Sequence, residues 1–258
     1  AGAAEKLWAL DLPFVLLGGG SNVLVSDRGV RGVVLMNRAR LVRFDSQAEP
    51  PTVHAESGVT LNDIAQRAAR LGLSGMEWAA TVPGTLGGAV YGNAGAFDGD
   101  TAGNLVSVEL VERGAGRQTW PVEKLGYDYR TSLLKREHPA VIILSAQLVL
   151  GRGAPQAVQA KMEQFSARRR STQPPGASMG SMFKNPPGDF AGRLIEAAGL
   201  KGRRIGNAEI STVHANFFIN HGQTRAADVR ALIDLARNTV QQKFGVTLEL
   251  EVELVGEW

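Results

Sequence analysis

The sequence contains no cysteine. That removes disulfide frameworks, thiolate metal sites and cysteine nucleophiles at once, and it suits a reducing compartment, so a cytoplasmic location is expected. No run of about 18 apolar residues occurs, so no membrane insertion is expected. The opening residues, A-G-A-A-E-K-L-W, lack the charged and apolar regions of a signal peptide. The four histidines, His54, His138, His214 and His221, are not spaced as metal ligands. Neither H-E-x-x-H nor an acidic calcium loop accompanies them, and no metal is expected. An excess of one charge is also lacking: 28 Lys and Arg against 25 Asp and Glu give +3. The basic residues are scattered except for Arg168-Arg169-Arg170, which reads as a solvated helix end or as a phosphate or nucleic-acid site. No nucleic-acid partner is expected.

Two familiar nucleotide signatures are missing as well. Phe14-Val15-Leu16-Leu17 reads as a strand and runs into Gly18-Gly19-Gly20-Ser21-Asn22, but Val23 stands where the dinucleotide fingerprint needs its third glycine. More apolar residues follow (Val23–Val25, then Val33–Met36), so strands rather than a helix are expected there. No G-K-[ST] marks a P-loop. Neither Ser21 nor Ser181 sits in a G-x-S-x-G elbow, which argues against a serine hydrolase.

What is abundant is glycine, 31 of 258 residues, against a usual share of roughly 7%. Six fall within Thr81–Asp100 (T-V-P-G-T-L-G-G-A-V-Y-G-N-A-G-A-F-D-G-D). Such density points to left-handed turns or to a close approach of bare backbone to something else. The rest is ordinary globular sequence, 44% hydrophobic and 21% charged, and 258 residues suffice for two domains. Apolar spacing predicts a helix over Thr60–Leu71, with Thr60 as cap and Gly72 as stop. Strands are expected at Val106–Val111 and Val141–Leu150, and Gly151-Arg152-Gly153 marks a boundary between residues 1–152 and 153–258. Helices follow at Ala157–Arg170, at Phe190–Ala198 with Asp189 as cap, and at Ala226–Phe244 with Gly245 as stop. A last strand, Thr247–Val255, places Glu249, Glu251 and Glu253 on one face.

Three side chains carry candidate chemistry. Ser181, in G-S-M-F-K-N-P, is either a turn serine satisfying backbone groups or a hydroxyl held to pass a proton to a carbanion. Arg130, behind Tyr127 and Tyr129, offers a guanidinium fork to a carboxylate or phosphate, or a surface ion pair. Glu251 is either functional or one of three carboxylates on a solvated edge strand.

Taken in order, the motifs L-G-G-G-S-N-V-L-V (17–25), V-P-G-T-L-G-G-A (82–89), N-A-G-A (93–96), Y-R-T-S (129–132), G-S-M-F-K-N-P (180–186), A-G-R-L-I-E (191–196), H-A-N-F (214–217) and L-E-L-E-V (248–252) run over nearly the whole chain. The set resembles the UDP-N-acetylenolpyruvoylglucosamine reductase (UDP-N-acetylmuramate dehydrogenase) family of peptidoglycan precursor synthesis, in its shorter form. The resemblance implies an α+β protein, with an FAD-binding domain of the vanillyl-alcohol-oxidase type over residues 1–152 and an α+β substrate domain over 153–258. It implies bound FAD, NADPH as co-substrate, a UDP-sugar substrate and a monomer.

By the same resemblance, Gly18, Gly19, Gly20, Ser21, Asn22, Pro83, Gly84, Thr85, Gly87, Gly88, Asn93, Ala94 and Gly95 hold the cofactor. Ser181 protonates the substrate α-carbon, and Arg130 and Glu251 polarise its carboxylate, Glu251 only when protonated or when orienting another donor. Lys184 and Asn185 contact substrate, Lys184 suiting a diphosphate. Two departures stand out: the family's T-x-R-x-G-G segment is not found ahead of Phe14, which leaves the FAD domain incomplete in this sequence, and Asp100 replaces the usual glutamate. A different flavin oxidase or dehydrogenase of the same cofactor fold and a non-catalytic nucleotide-sugar-binding module are the alternatives.

Overall fold

Between Val141 and Val149 the chain is almost wholly apolar (V-I-I-L-S-A-Q-L-V), as a strand flanked on both sides requires. In the computed structural model, which describes residues 1–258, it is the middle strand of a five-stranded antiparallel sheet. The order is Gly116–Pro121, Leu105–Glu112, Val141–Val149, Thr52–Glu56, Val42–Asp45. Register shifts after Ile143 and after Gln147 break strict alternation. Val53, Ala55, Val108, Leu110, Ala146 and Leu148 share a core with Leu61, Ile64, Ala65 and Ala68 of the helix Leu61–Arg70. That helix begins where Thr60 Oγ1 accepts from Asp63 N (3.2 Å), and Gly72 turns out of it at φ +68°.

The chain divides into two units, residues 1–20 with 32–167 and residues 21–31 with 168–258. A single cut after Arg152 differs from this in two places. Residues 153–167 pack with the first unit, where Val158 and Met162 are buried, and residues 21–31 pack with the second, where Leu24 is buried. The three short N-terminal strands accordingly do not pair in sequence order. Phe14–Leu17 runs parallel to Val33–Met36, whereas Val23–Val25 runs parallel to Glu253–Val255. Parallel neighbours cannot be joined by a tight turn, and residues 18–32 form the crossover.

The glycine-dense stretch is more regular than its composition suggests. Leu86–Gly92 is helical and ends in a left-handed Asn93 (φ +48°), and Gly95–Ala96 pairs with Gly99–Asp100 as a hairpin. Its two tip residues, Phe97 (φ +52°) and Asp98 (φ +63°), are both left-handed, the geometry of a type I′ turn that usually takes Asn-Gly. Phe97 lies flat on Phe165, ring centroids 4.3 Å apart. Within Thr81–Asp100 only Gly84 (φ +115°) needs glycine for its own conformation.

The second unit is built on the helix Ala226–Phe244. Val229, Leu232, Ile233, Ala236 and Val240 are buried as the spacing predicts, but Phe244 is 40% exposed. Gly245 ends it at φ +70°. Its start is capped from far away: Asp27 accepts from Ala226 N (2.8 Å) and Ala227 N (2.9 Å). Arg204–Ile205, Ala208–Ile210 and Phe218–Asn220 form a small antiparallel sheet beside it.

Two expectations fail here. The helix Ala191–Ala197 is not capped by Asp189, whose carboxylate binds Phe190 N and Arg193; Asn185 Oδ1 accepts from Ala191 N instead (3.1 Å). Nor is Thr247–Val255 one strand. Leu250 bridges Phe183, the chain bends at Val252, and only Glu253–Val255 is a strand, paired elsewhere. The even alternation of glutamate and apolar residues hides this change of partner.

The two helix-capping bonds hold the Asp27 carboxyl below its ordinary value of 3.8. A depressed carboxyl contributes stability above its unfolded pKa and loses it as pH falls through its folded value. Asp27→Ala is therefore expected to lower the melting temperature at pH 7, with a smaller gap between variant and parent at pH 3; an equal gap at both would rule out a charge contribution. Asp98→Gly is expected to stabilise by about 0.5 kcal/mol, read from denaturant midpoints, because glycine adopts the left-handed position without strain; a lower midpoint would contradict this.

Candidate active site

In the first unit the two glycine motifs meet. Gly18 lies against the Thr85 side chain so closely that no Cβ fits, and a Cβ on Gly19 would stand 3.5 Å from Gly84 Cα. Main-chain bonds fix the second motif: Leu61 N donates to Gly84 O (3.2 Å), Leu86 N to Val59 O (2.8 Å) and Gly87 N to Ser57 O (2.8 Å). Gly87, Gly95 and Gly99 are likewise pressed on Ser57, Asp100 and the Trp78 ring. Gly20 differs: it turns at φ +67° with nothing within 4 Å of a Cβ. Gly92 is equally open, and a Cβ on Gly88 would meet only Thr85 Oγ1 at 3.8 Å. The glycines thus divide between those that let the protein pack on itself and those that leave bare backbone for a ligand.

A cleft of about 350 Å³ in the same unit is lined in part by Leu16, Leu35, Asn37, Ser57 and Ile143; no residue of the two glycine motifs lines it. Ser57 also holds Gly87, and Leu16 leads into Gly18 through Leu17. Asn37 Nδ2 donates to Ser57 Oγ (2.8 Å), which donates to Ile143 O (2.6 Å). A second polar row lines the same cleft: Arg117 Nη1 donates to Glu109 Oε1 (3.2 Å), Ser145 Oγ donates to Glu109 Oε2 (3.0 Å), and His54 Nε2 lies 3.0 Å from Ser145 Oγ. Since Ser145 gives its one hydrogen to Glu109, His54 Nε2 is the donor. With apolar side chains and several polar or charged ones in its wall, a cleft of this size has room for part of a small ligand.

Arg130 is tied into the glycine stretch. Asp128 and Thr131 exchange both main-chain hydrogen bonds (3.2 Å each), so Tyr129-Arg130 forms a two-residue tip. Arg130 has φ +55°, a left-handed position that disfavours any side chain. Its Nη2 donates to Gly95 O at 2.6 Å, and its guanidinium lies 5.0 Å from the Tyr129 ring centroid. Strain kept at a candidate functional residue is a pointer to function. Asn93, buried, ties the same parts together: its Nδ2 donates to Asp128 O (3.1 Å) and Asp100 Oδ2 (3.3 Å), and its Oδ1 accepts from Ala102 N (3.0 Å). Ala94 O accepts from Thr101 N and Oγ1. Of Asn93 and Ala94, then, the polar groups named are used within the protein. Tyr127 donates to Val90 O (2.8 Å); burial, with the Asp100 charge adding to it, pushes its phenol well above the ordinary range and keeps it a donor.

The second unit brings Ser181 and Glu251 onto neighbouring segments. Ser181 bridges Phe217, Met182 N donates to Asn216 O (2.7 Å), and Glu251 N donates to Met182 O (3.0 Å). Phe183 is held at both main-chain groups by the buried Asn216 carboxamide, N to Oδ1 (2.9 Å) and O from Nδ2 (2.7 Å). Lys184 pairs with Glu249, and Asn185 spends its Oδ1 on Ala191 N, leaving its NH₂. Ser21 and Asn22 form the turn before Val23, and Asn22 Nδ2 donates to Glu251 O (2.9 Å). His214 packs on Gly192 and Phe217, and burial, aided by Lys201, holds its pKa below the usual histidine value. No helix is long and apolar enough to cross a membrane.

Sequence patterning missed Asn37, Ser57, His54, Ser145 and Glu109. Each strand shows which face its residues occupy, but the partners are fixed by register between distant strands, which no local pattern reports. Asn216 was visible only as part of a motif.

Comparison with known proteins agrees with this geometry. The model of an FAD-binding domain matches residues 3–120, and that of the UDP-N-acetylenolpyruvoylglucosamine reductase C-terminal domain matches 172–255. The reductase of Chloroflexus aggregans is 46% identical over 96% of this chain and 85% of its own length. That of Rubrobacter xylanophilus is 43% identical over 99% and 84%. The crystal structure of the reductase from Thermus caldophilus superposes with a TM-score of 0.82 at 38% identity, covering 98% of this chain and 89% of its own. With both domain types in order and such identity along nearly its full length, the chain belongs to the UDP-N-acetylenolpyruvoylglucosamine reductase family and is a flavin-dependent oxidoreductase.

Proposed function

We propose that the chain reduces UDP-N-acetylglucosamine enolpyruvate to UDP-N-acetylmuramate in the cytoplasm, as a step of peptidoglycan precursor synthesis, with NADPH as the electron source. The unit of residues 1–20 and 32–167 is assigned to the cofactor and that of residues 21–31 and 168–258 to the substrate, which moves 21–31 and 153–167 across the single cut after Arg152. Family membership supports the reaction. The observation that carries the assignment of residues is that Glu251 pairs with Met182, the neighbour of Ser181, so both candidate groups rest on one hydrogen-bonded platform.

Gly20, Gly88 and Gly92 offer open backbone for FAD, and the cleft beside Ser57 and Asn37 offers it a partly apolar seat. The chemistry FAD supplies when bound is passage of a hydride from NADPH to the enolpyruvyl β-carbon. The negative charge then falls on the α-carbon and its carboxylate. Arg130 meets it with a fixed cation, whose value rises as water is excluded. Its bond to Gly95 O keeps the guanidinium oriented before substrate arrives. Ser181 Oγ gives its proton to the α-carbon, which completes the addition of one hydride and one proton across the double bond. Glu251 assists at the carboxylate as a protonated donor or by orienting one. Asn185 offers its NH₂, and Lys184 shares its charge between Glu249 and a substrate diphosphate.

Purified protein incubated with FAD is expected to show a flavin spectrum that NADPH bleaches and the enolpyruvyl sugar nucleotide restores. A flavin that NADPH reduces but the substrate does not re-oxidise would indicate a different oxidoreductase. Colourless protein that still binds a uridine nucleotide would indicate a binding module. Ser181→Ala is expected to retain bleaching by NADPH and to slow re-oxidation by roughly 100-fold or more; equal slowing of both steps would remove Ser181 from the proton transfer.

A further inference from the structure

Glu251 stands where its segment changes partners. On one side Leu250 bridges Phe183; on the other Glu253 opens the strand that runs beside Val23–Val25. Val252 bends the chain between them and interrupts both ladders. Such a junction is the softest part of an extended segment, because no continuous row of hydrogen bonds limits its movement. Asn22 spans it. Its Nδ2 donates to Glu251 O at 2.9 Å, and its own main-chain O accepts from Glu253 N at 3.0 Å. With Glu251 N donating to Met182 O, the peptide carrying Glu251 is pinned from two directions.

We propose that Asn22 is a positioning residue for Glu251, holding the glutamate backbone at one place while its side chain acts on the substrate carboxylate. This rests on the reductase function proposed above. Asn22 also belongs to the set that the family resemblance assigns to the cofactor; its Nδ2 bond to Glu251 O gives it a second role, exerted through the residue it holds. A single bond to a half-buried carbonyl contributes modestly to stability. The spread of positions open to Glu251 is a different matter, since a shift of about 1 Å at a catalytic group costs up to about 100-fold in rate.

A double-variant comparison tests this. Asn22→Asp keeps the shape and removes the Nδ2 donor; Asn22→Ser is made beside it in case the charge disturbs folding. Each is compared with Glu251→Ala and with the double variant. Flavin reduction and re-oxidation are followed separately, and FAD affinity is read from flavin fluorescence. The Asn22 variants are expected to slow re-oxidation at least tenfold more than reduction. In the Glu251→Ala background the same change is expected to cost less than twofold, because the residue it positions is gone. Multiplying effects in the double variant, a tenfold loss of FAD affinity with both steps slowed alike, or loss of folding in both variants would overturn the proposal. A parent enzyme whose reduced flavin is not re-oxidised by the enolpyruvyl substrate would instead sink the reductase function itself.

Discussion

The Ser181–Lys184 segment has no regular strand to lie in, and the Asn216 carboxamide supplies what a strand would. Its oxygen accepts from Phe183 N and its nitrogen donates to Phe183 O, both bonds buried, while Asn216 O takes Met182 N. A buried main-chain donor left without a partner costs about 1–3 kcal/mol, so this one side chain settles where the segment can run. Phe183 can then sink fully into the core of the second unit, edge-on to Phe218. With Phe183 fixed, Met182 and Lys184 present their backbone to Glu251 and Glu249. The placement of both candidate catalytic side chains in this unit follows from that one amide.

Glycine plays two physical roles in the first unit, and composition alone mixes them. Gly18, Gly87, Gly95 and Gly99 are small because protein presses on them; Gly20, Gly88 and Gly92 are small with open space beyond. The first group builds the surface and the second exposes it. Asn93, Phe97 and Asp98 meanwhile occupy left-handed positions that glycine usually takes. The Phe97–Phe165 stack and the Asn93 hydrogen bonds offset that strain, and Asn93 and Phe97 lie within the stretch whose Gly95 carbonyl orients Arg130.

Much of this is legible in the sequence where local chemistry decides the outcome. Thr60, Gly72 and Gly245 mark helix ends because caps and left-handed glycines act on their neighbours. The helix Ala226–Phe244 shows its buried face because its spacing matches one side of the coil. Legibility fails where the deciding partner is far along the chain. Asp27 caps a helix about 200 positions away, so neither residue advertises the other. Glu251 alternates like a strand residue although its neighbours change partners around it. His54, Ser145 and Glu109 converge only through the register of three strands.

The cap at Asp27 bears on how the molecule comes into being. Residues 21–31 emerge in synthesis more than 200 positions before their strand partner, Glu253–Val255. Closing this pairing and the cap requires loops of some 200 residues, contacts that are slow to form. The second unit therefore cannot finish assembling while its C-terminal residues are still being made. A fragment beginning at residue 168 would carry nearly all of that unit's core, but with an uncapped helix and an open strand edge. An unfilled edge of that kind is a ready template for pairing with another chain.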